Sequence, residues 1–565
     1  MRGEFIAAGG AALLSAAGGP RAAPPLPPGA LLGPRHDVGH RLRDGGLPRA
    51  SETRRRSIVI VGAGIGGLSA AWRLRRAGFD DFELIELERA AGGNARWGEN
   101  AVSAYPWGAH YLPLPGREAR AVRLLLADLG VLQGDPFAPR PRYEERFLCF
   151  APHERLYRDG AWHEGLVPLA RASAAERDEW RRFQDRMDAF RRLRGADGRR
   201  AFALPMALSS RDPQLAALDA VPMRDWLVAA GFTSDAVHWS VNYGCRDDYG
   251  CDYRQVSAWA GIHYFASRDA EAQDADPDTV LTWPAGNGWL VRALLARCAP
   301  PLTTAALVHR VEPRAREVVV EAYLPDEDRS VALSAQHVLW AAPAAFAARA
   351  LAGADADLVA ALRSFEYAPW LVANLTLDET PRDRHGAPLA YGAWMVANVT
   401  LSDRPRGRGR AERAMAWDNV LHDSPSLGYV VATHQSLASH RGPTVLTYYW
   451  PLCDEPPAHA RRRLLATPRA AWAERILADL GRPHPEIRAT TRTLDVFAHG
   501  HAMACPRPGA VWSAARRRVE RGAARVHFAH SDASGFSLFE EAQYRGVAAA
   551  ERALAALGVR TDTIL

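Results

Sequence analysis

A cluster of glycines near residue 62 has the spacing of a site that binds nucleotide phosphates. A Gly-x-Gly-x-x-Gly motif follows a β-branched apolar run at 57–61 and precedes a helical pattern over 68–77. Such glycines allow a tight turn, a close approach of the backbone to a pyrophosphate, and close packing of the helix on the strand. The helix N-terminus adds unpaired N–H groups and a partial positive charge. The glycines of this turn are Gly62, Gly64, Gly66 and Gly67.

An acidic residue follows this turn at a distance typical of a ribose ligand. A second apolar stretch, 82–87, contains Glu86, which lies 24 positions after Gly62. A carboxylate at the end of the second strand can accept hydrogen bonds from ribose hydroxyls. Strand, turn, helix, second strand and acid occur in this order, and together they predict a Rossmann-type dinucleotide site. The fingerprint alone does not separate NAD from FAD.

The residues after Glu86 resemble the flavin-dependent amine oxidase superfamily. Its members follow the ribose acid with a Gly-Gly-Arg element, and Gly92 and Gly93 stand in the matching place. Asn94 follows where the arginine is usual, and Arg96 comes two positions later. We therefore expect Arg96 to bind the pyrophosphate through bidentate, charge-assisted hydrogen bonds. Asn94 belongs to the same predicted cofactor contacts.

A second matching element lies at 106–111. Gly108 and Ala109 resemble the Gly-Ala pair that lies beside the flavin ring in the superfamily. His110 follows directly; its imidazole could act as an acid or base near neutral pH, or it could make a structural hydrogen bond. Tyr111 completes this element as a further catalytic candidate.

Two more stretches match the superfamily in the same order along the chain. Residues 283–290 resemble the segment that returns the chain to the cofactor domain. The resemblance implies that the strand patterns after it form a meander over the adenosine, with Val308 touching the adenine. Near the C-terminus, a loop and a helix resemble the element whose helix N-terminus points at the flavin and stabilises a reduced, anionic ring. The cofactor contacts implied there are Asp532, Phe539 and Glu540.

The resemblance implies an α/β fold in which the chain enters the cofactor domain three times. We expect a discontinuous FAD-binding Rossmann-type domain with an inserted mixed helical and β-sheet substrate domain. The cofactor segments are predicted at 57–126, 282–345 and 494–565. The substrate segments are predicted at 127–281, which is mainly helical, and at 346–493, which is mainly a sheet.

Aromatic and histidine side chains of the chain's second half are candidates for the pocket wall. Tyr448, Tyr449 and Trp450 alternate along one predicted strand, so at most two of them share a face, and core packing is the alternative role for each. Relatives place an aromatic cage residue where this chain has His501 and Met503. The pocket therefore suits an amine or a flat apolar substrate. The candidate catalytic residues are His110, Tyr111, Tyr449 and His501.

Composition excludes several classes of chemistry. The chain has 565 residues, of which 48% are hydrophobic and 24% charged, a typical globular composition. It contains no lysine, so all 70 cationic side chains are arginine. Lysine Schiff bases and phosphate-loop lysines are thereby excluded, as is the lysine that holds a water near the flavin in many amine oxidases. Histidine and cysteine spacing predicts no metal site.

The N-terminus differs from the rest of the chain. Five of the six net positive charges lie in residues 1–57, so the remaining chain is nearly neutral and indicates no nucleic-acid partner. Residues 1–19 contain a short apolar run after Arg2 and resemble an export signal, with Gly3 where a twin-arginine signal has its second arginine. A disordered Ala/Gly tail is the alternative. Residues 20–56 are rich in Pro, Gly and Arg and are predicted to be a linker. The predicted location is periplasmic or exported, or otherwise cytoplasmic.

These observations predict an FAD-dependent oxidoreductase. The expected reaction removes a hydride from a substrate C–H bond to flavin N5, and oxygen or another acceptor then reoxidises the cofactor. Two alternatives stay open: a desaturase or isomerase of an apolar, polyene-like substrate, and a flavin-binding partner protein without turnover. The expected partner is a small molecule, amine or apolar. No apolar run is long enough for a transmembrane segment, and the oligomeric state is not predicted.

Overall fold

Two large β-sheets organise the molecule. The computed structural model describes residues 24–382, 388–391, 414–436 and 442–565, and every structural statement below refers to these residues. The predicted export signal at 1–19 lies outside them. Within the described ranges, none of the helices combines the length and apolarity needed to cross a membrane.

The first sheet, here called the cofactor sheet, has seven strands. Its central strand contains the β-branched run Ile58–Val61, whose side chains are buried. Parallel strands flank it on both sides, and an antiparallel meander extends one edge. In spatial order the strands are Leu302–Thr303, Phe82–Ile85, Ala50–Val61, Arg329–Trp340, Val318–Leu324 and Leu307–Pro313, and Val526–Phe528 pairs with the end of Arg329–Trp340.

The second sheet, here called the substrate sheet, has eight strands. Every residue of its strand Tyr367–Leu377 is buried, because helices cover one face and the molecular interior covers the other. In spatial order the strands are Leu31–Leu32, Thr491–Ala504, Tyr367–Leu377, Thr444–Pro451, Gly428–Val431, Asp418–Leu421, Glu154–Arg158 and Ala161–Glu164.

Helices and short strand pairs fill the space around the sheets. The helices are His36–Asp44, Ile65–Arg76, Arg120–Asp128, Ala174–Arg192, Pro213–Ala216, Met223–Ala229, Asp235–Tyr249, Ala258–Ala266, Gly288–Cys298, Ala344–Ala350, Ala356–Arg363, Pro457–Ala466, Arg469–Leu480, Ile487–Thr490, Ala514–Arg521 and Phe539–Ala556. The paired short strands are Trp97–Glu99 with Ala104–Pro106, Tyr111–Pro113 with Val280–Thr282, Leu132–Gln133 with Arg142–Tyr143, and Ala390–Tyr391 with Ala414–Met415.

The predicted linker at 20–56 differs from the structure. Residues His36–Asp44 form a helix, and the strand predicted from residue 57 already begins at Ala50. Val38 is buried against Leu307 and Tyr323 of the meander, which gives this short helix a packing partner. The apolar positions are too few to stand out among Pro, Gly and Arg, so the sequence pattern indicates a linker although tertiary contacts order the segment.

The predicted third cofactor segment, 494–565, also begins in a different place. Strand Thr491–Ala504 belongs to the substrate sheet, where it pairs antiparallel with Tyr367–Leu377. The chain returns to the cofactor sheet only at Val526–Phe528. A strand in either sheet has the same apolar pattern, because both sheets are buried on both faces. The sequence therefore predicts a strand here but does not determine its sheet.

Candidate active site

The glycine turn brings two stretches of bare backbone together. Gly62 has φ +99°, and a Cβ atom there would lie 3.0 Å from the Ala341 carbonyl carbon. The Gly62 N–H donates to the Ile85 carbonyl at 2.8 Å, which fixes the turn to the end of the second strand. A Cβ on Gly93 would lie 3.2 Å from Gly64 Cα. Gly64 and Gly93 thus pack closely together and leave a surface of bare backbone, here called the backbone groove, the kind of surface that a pyrophosphate needs.

The helix after the turn presents an open N-terminus. Helix Ile65–Arg76 starts after Gly64 with no side-chain cap and no acidic residue in its first turn. A Cβ on Gly67 would lie 1.9 Å from the Gly62 carbonyl oxygen, and one on Gly66 would lie 2.2 Å from the Ala529 carbonyl oxygen. Both positions therefore need glycine for packing. The uncapped N–H groups and the helix dipole favour an anion at this end.

Glu86 lies beside the same turn. Its carboxylate accepts hydrogen bonds from the backbone N–H of Ala63 at 2.7 Å and of Glu88 at 2.9 Å. Burial raises the pKa of Glu86. Each carboxylate oxygen has a second lone pair, so the group can still accept a hydroxyl donor. The meander begins at the same point, because the Ala306 N–H donates to the Glu86 carbonyl at 2.9 Å, and Val308 follows two residues later, buried.

Asn94 and Arg96 lie at the second glycine pair. Arg96 Nε donates to the Gly93 carbonyl at 2.9 Å, and its Nη1 lies 3.6 Å from a carboxylate oxygen of Glu88. The Asn94 amide donates to the Ala502 carbonyl. Arg96 therefore places a cation at the backbone groove, but it shares that charge with Glu88. Its binding to a pyrophosphate stays a prediction.

A cavity of about 140 Å³ lies between the substrate sheet, the segment 108–113 and the start of the C-terminal helix. Eight of the predicted site residues line it. They are Asn94, Gly108, Ala109, His110, Tyr111, Tyr449, Phe539 and Glu540. Four segments that are remote in sequence therefore meet at one cavity, which makes this cavity the candidate active site.

Aromatic rings form one wall of the cavity. The His110 ring stacks on Tyr449 with a centroid separation of 4.3 Å, and Trp417 lies 5.6 Å from His110. The Tyr449 hydroxyl donates to the Gly108 carbonyl at 3.0 Å. Burial lowers the pKa of His110 to about 4, so the imidazole is neutral at pH 7. His110 is therefore suited to hydrogen bonding and stacking rather than to donating a proton as an imidazolium.

Three carboxyl groups also line the cavity and are here called the acid wall: Asp247, Asp248 and Glu540. Asp248 pairs with Arg268 at 2.7 Å, and Asp247 accepts from the Tyr111 hydroxyl at 2.8 Å. Burial and the neighbouring Asp248 raise the pKa of Asp247 to about 7. Burial likewise raises the pKa of Glu540 to about 7. Three carboxyls face one guanidinium, so the ionised wall has a net negative charge and attracts a cation.

Sequence reasoning missed Asp247, Asp248 and Arg268. The two aspartates end an otherwise largely apolar face of helix Asp235–Tyr249, and Asp248 is only 4% exposed. The sequence could have indicated them through the two adjacent acids between Cys245 and Tyr249 in an apolar helix pattern. Buried acids are rare unless they are paired or functional. The spacing gave no information on which segment they would face.

Besides the residues of the glycine turn, Glu86, Gly92, Gly93, Arg96 and Val308, two predicted residues, His501 and Asp532, do not line the cavity. The strand Thr491–Ala504 has a bulge opposite Pro369, which breaks the alternation of its side chains. His501 is turned away, with its ring 5.3 Å from Phe346, whereas Met503 lines the cavity. Asp532 is fully buried, and its carboxylate accepts from Ala344 N–H at 2.7 Å. The structure thus gives His501 no contact with the catalytic cavity and gives Asp532 a structural hydrogen bond.

One buried amide indicates room for a polar ligand beside the C-terminal helix. Gln543 lies one turn after Glu540 and is fully buried, yet its Oε1 and Nε2 have no hydrogen-bond partner among the described residues. An unpaired buried amide is costly, so such a group normally has a water or ligand partner. Together with the backbone groove and Glu86, Gln543 fits a large, hydrogen-bonding cofactor.

Comparison with known proteins agrees with this architecture. Residues 60–129 match the family model described as NAD(P)-binding Rossmann-like domain. No curated protein matches the sequence. A solved double mutant of putrescine oxidase is 17% identical, covers 89% of this chain and 100% of its own, and has a TM-score of 0.60.

Two further solved structures are similar. Cyclohexylamine oxidase from Brevibacterium oxydans IH-35A is 15% identical over 89% of this chain and 99% of its own, with a TM-score of 0.61. A fatty acid isomerase from P. acnes that produces CLA is 15% identical over 88% and 98%, with a TM-score of 0.57. The predicted α/β fold class is confirmed, and the chain has the fold of these oxidases, with a Rossmann-type dinucleotide-binding domain.

Proposed function

We propose that this protein is an FAD-dependent oxidoreductase that oxidises a cationic amine. The observation that carries the proposal is the acid wall of the cavity, where three carboxyls face one arginine. A cavity with this charge and an aromatic wall suits an ammonium group on an apolar skeleton. When bound, the flavin would supply a two-electron acceptor for a hydride from the substrate C–H bond.

The cofactor would be held by three parts of the chain. The glycine turn and the helix N-terminus suit the pyrophosphate, and Glu86 suits a ribose hydroxyl. Gly108, Ala109 and the start of the C-terminal helix would border the reacting ring. The residues expected to hold FAD are Gly62, Gly64, Gly66, Gly67, Glu86, Gly92, Gly93, Asn94, Arg96, Gly108, Ala109, His110, Val308, Phe539, Glu540 and Gln543; Asp532 would act indirectly, by fixing the loop before the helix.

The acid wall would bind and orient the substrate. An incoming ammonium favours the ionised form of Asp247, so a carboxyl that is half protonated at pH 7 releases its proton as the cation binds. Tyr111 fixes the position of that carboxylate through its hydroxyl. The stacked His110–Tyr449 pair would exclude water and hold the apolar part of the substrate.

Isomerisation or desaturation of an apolar substrate is the second candidate, and the similarity to the fatty acid isomerase favours it. The charges of the cavity oppose it when the substrate has a carboxylate. Arg268 is the cavity-lining cation of the described residues, and it is already paired with Asp248. A carboxylate would therefore meet net repulsion. A flavin-binding protein without turnover remains the third candidate.

Anaerobic reduction of the purified protein distinguishes these functions. Bound flavin has absorption bands near roughly 370 and 450 nm, and substrate oxidation bleaches the second band. We expect putrescine, cyclohexylamine or a related amine to bleach it, and oxygen or another acceptor to restore it. Bleaching by no amine, together with isomerisation of an unsaturated fatty acid, would support the second candidate. A colourless protein that does not take up FAD would refute all three.

A further inference from the structure

Two cysteines from distant parts of the chain meet beside the cavity. Cys251 follows Gly250, the left-handed C-cap of helix Asp235–Tyr249, and Cys505 follows the strand Thr491–Ala504. Their sulfur atoms are in contact at 2.6 Å, although the residues are 254 positions apart. Both side chains are buried, Cys251 at 1% and Cys505 at 7% exposure.

The backbone around this pair is fixed independently of the sulfur atoms. The Cys505 N–H donates to the Glu366 carbonyl at 2.9 Å, and the Ser257 N–H donates to the Pro506 carbonyl at 2.8 Å. The Ser257–Pro506 bond therefore joins the two segments close to the pair, and the Cys505–Glu366 bond fixes the Cys505 segment to the start of strand Tyr367–Leu377. The backbone holds the two Cα atoms where their sulfur atoms meet. A disulfide bond between them therefore requires no backbone movement.

The other cysteines have no such arrangement. All six lie in described residues, and Cys251–Cys505 is the one cysteine pair in hydrogen-bond contact there. Cys245 is equally buried but lies within helix Asp235–Tyr249, and the Cys149 thiol donates to the Phe150 carbonyl at 3.8 Å. Cys453 is only partly buried and lies near enough to Cys251 to affect its charge. Cys453 is therefore the rival partner that an experiment must exclude.

We propose that Cys251 and Cys505 form a disulfide bond in the mature protein. In its formation the two thiols lose two protons and two electrons, and a disulfide oxidant accepts them and becomes two thiols. One cysteine thiolate first attacks the oxidant and releases one thiol; the second then attacks the mixed disulfide and releases the other. This proposal goes beyond the flavin chemistry and does not depend on it.

The buried position determines when the bond forms. Contact with Cys505 and burial raise the pKa of Cys251 well above its usual value, so the thiolate is rare in the folded protein. Exchange with an external disulfide needs a thiolate and access to it. The bond must therefore form while the chain folds, in an oxidising compartment.

The bond would fix one end of the cavity. Trp370 packs against Gly250, where a Cβ would lie 2.3 Å from the indole Nε1, and both Trp370 and Met503 line the cavity. A link from Cys251 to Cys505 joins the helix that carries Asp247 to the strand that carries Met503. The acid wall would then keep a fixed distance from the substrate sheet.

Peptide mapping of the full-length wild-type chain tests the bond directly. The protein is made once by export to an oxidising compartment and once in a reducing cytosol, then unfolded in denaturant in the presence of iodoacetamide and digested without reduction. We expect the exported sample to contain a Cys251–Cys505 linked peptide, with Cys149, Cys245, Cys298 and Cys453 alkylated. Alkylation of both Cys251 and Cys505 in that sample, or a Cys251–Cys453 link, would overturn the proposal. The flavin content has no influence on this readout.

Thermal unfolding adds a second readout with a matched control. We expect a reductant to lower the Tm of the exported protein by about 2–4 °C. Cys251→Ser and Cys505→Ser should abolish this response, and Cys245→Ser should retain it. A wild-type Tm that does not respond to complete reduction would contradict a stabilising bond. If a serine variant does not fold, the mapping of the wild-type chain alone decides.

Discussion

Replacement of Asp247 by asparagine should weaken the binding of cations without changing the shape of the cavity. Asparagine has nearly the same volume and can still accept from the Tyr111 hydroxyl, which lies 2.8 Å from the carboxylate. The change therefore removes a charge and little else. An ammonium about 4 Å from a carboxylate is attracted by about 4 kcal/mol at an effective dielectric constant of about 20. That value sets an upper limit of about a thousandfold on the loss of affinity.

The expected loss is smaller than this limit. Asp248 and Glu540 stay in the wall, and part of the attraction offsets the cost of desolvating the cation. We expect the Asp247→Asn variant to bind a cation about 30-fold more weakly, equivalent to about 2 kcal/mol. The matched control is Asp235→Asn, an exposed carboxyl at the other end of the same helix, which should have no effect.

The assay uses tetramethylammonium, because its charge does not titrate. Its dissociation constant is measured by perturbation of the flavin absorption at pH 6, 7 and 8. The pKa of Asp247 is raised to about 7 mainly by burial, so its ionised fraction grows across this range. Affinity should therefore rise about tenfold from pH 6 to pH 8 in the wild type. The rise should be reduced in Asp247→Asn, where Glu540 alone titrates.

The sign of this pH dependence is the decisive part. A raised carboxyl pKa means that the folded chain favours the protonated form, so ionisation destabilises the empty protein as pH increases toward 7. A bound cation offsets that cost, and it should raise Tm more at pH 8 than at pH 6. Equal affinity in the variant and the wild type, or affinity that falls as pH rises, would refute the proposed role of the acid wall.

Three further predictions concern the cofactor and the aromatic wall. Gly67→Ala should prevent retention of FAD, because its Cβ would lie 1.9 Å from the Gly62 carbonyl oxygen; flavin absorbance per protein measures this, and normal retention would contradict it. Gln543→Leu should raise the dissociation constant of FAD by about 10-fold, because the buried amide is expected to bond to the cofactor. The Tm of the apoprotein should not fall, since the substitution removes no hydrogen bond with a described residue. Tyr449→Phe removes the hydrogen bond to the Gly108 carbonyl and should lower kcat/KM by about 5-fold, measured with the best amine, while FAD binding is unchanged.

The sequence was most informative where one local structure determines the chemistry. The glycine turn and Glu86 occupy a single strand–turn–helix–strand unit, and the structure brings them together through the Gly62–Ile85 hydrogen bond. Short-range geometry dictates such a unit, so spacing alone predicts it. The segment 127–281 was predicted to be mainly helical, and helix Ala174–Arg192 lies within it, with Phe183 and Met187 buried on one face.

The rest of the site depends on contacts between distant segments. The resemblance placed His501 and Met503 beside the substrate, but a bulge in the strand turns His501 away while Met503 lines the cavity. The acid wall joins residues almost 300 positions apart, from Asp247 to Glu540, and no local pattern connects them. Sequence spacing carries no information on such tertiary encounters, so Asp247, Asp248 and Arg268 became visible only in the folded chain.

The absence of lysine gives the acid wall its significance. In a chain without lysine, every cation available to a buried site is an arginine, which stays protonated, or a histidine. His110 and His499 both line the cavity, and burial lowers the pKa of His110 to about 4 and of His499 to about 3. Both rings are therefore neutral at pH 7, and Arg268 is left as the cavity's cation among the described residues. Arg268 is already paired with Asp248, so Asp247 and Glu540 have pKa values of about 7, and an entering cation favours their ionised forms. A positively charged ligand offsets the excess of carboxyl groups over cations in the cavity, whereas a carboxylate ligand would increase the excess.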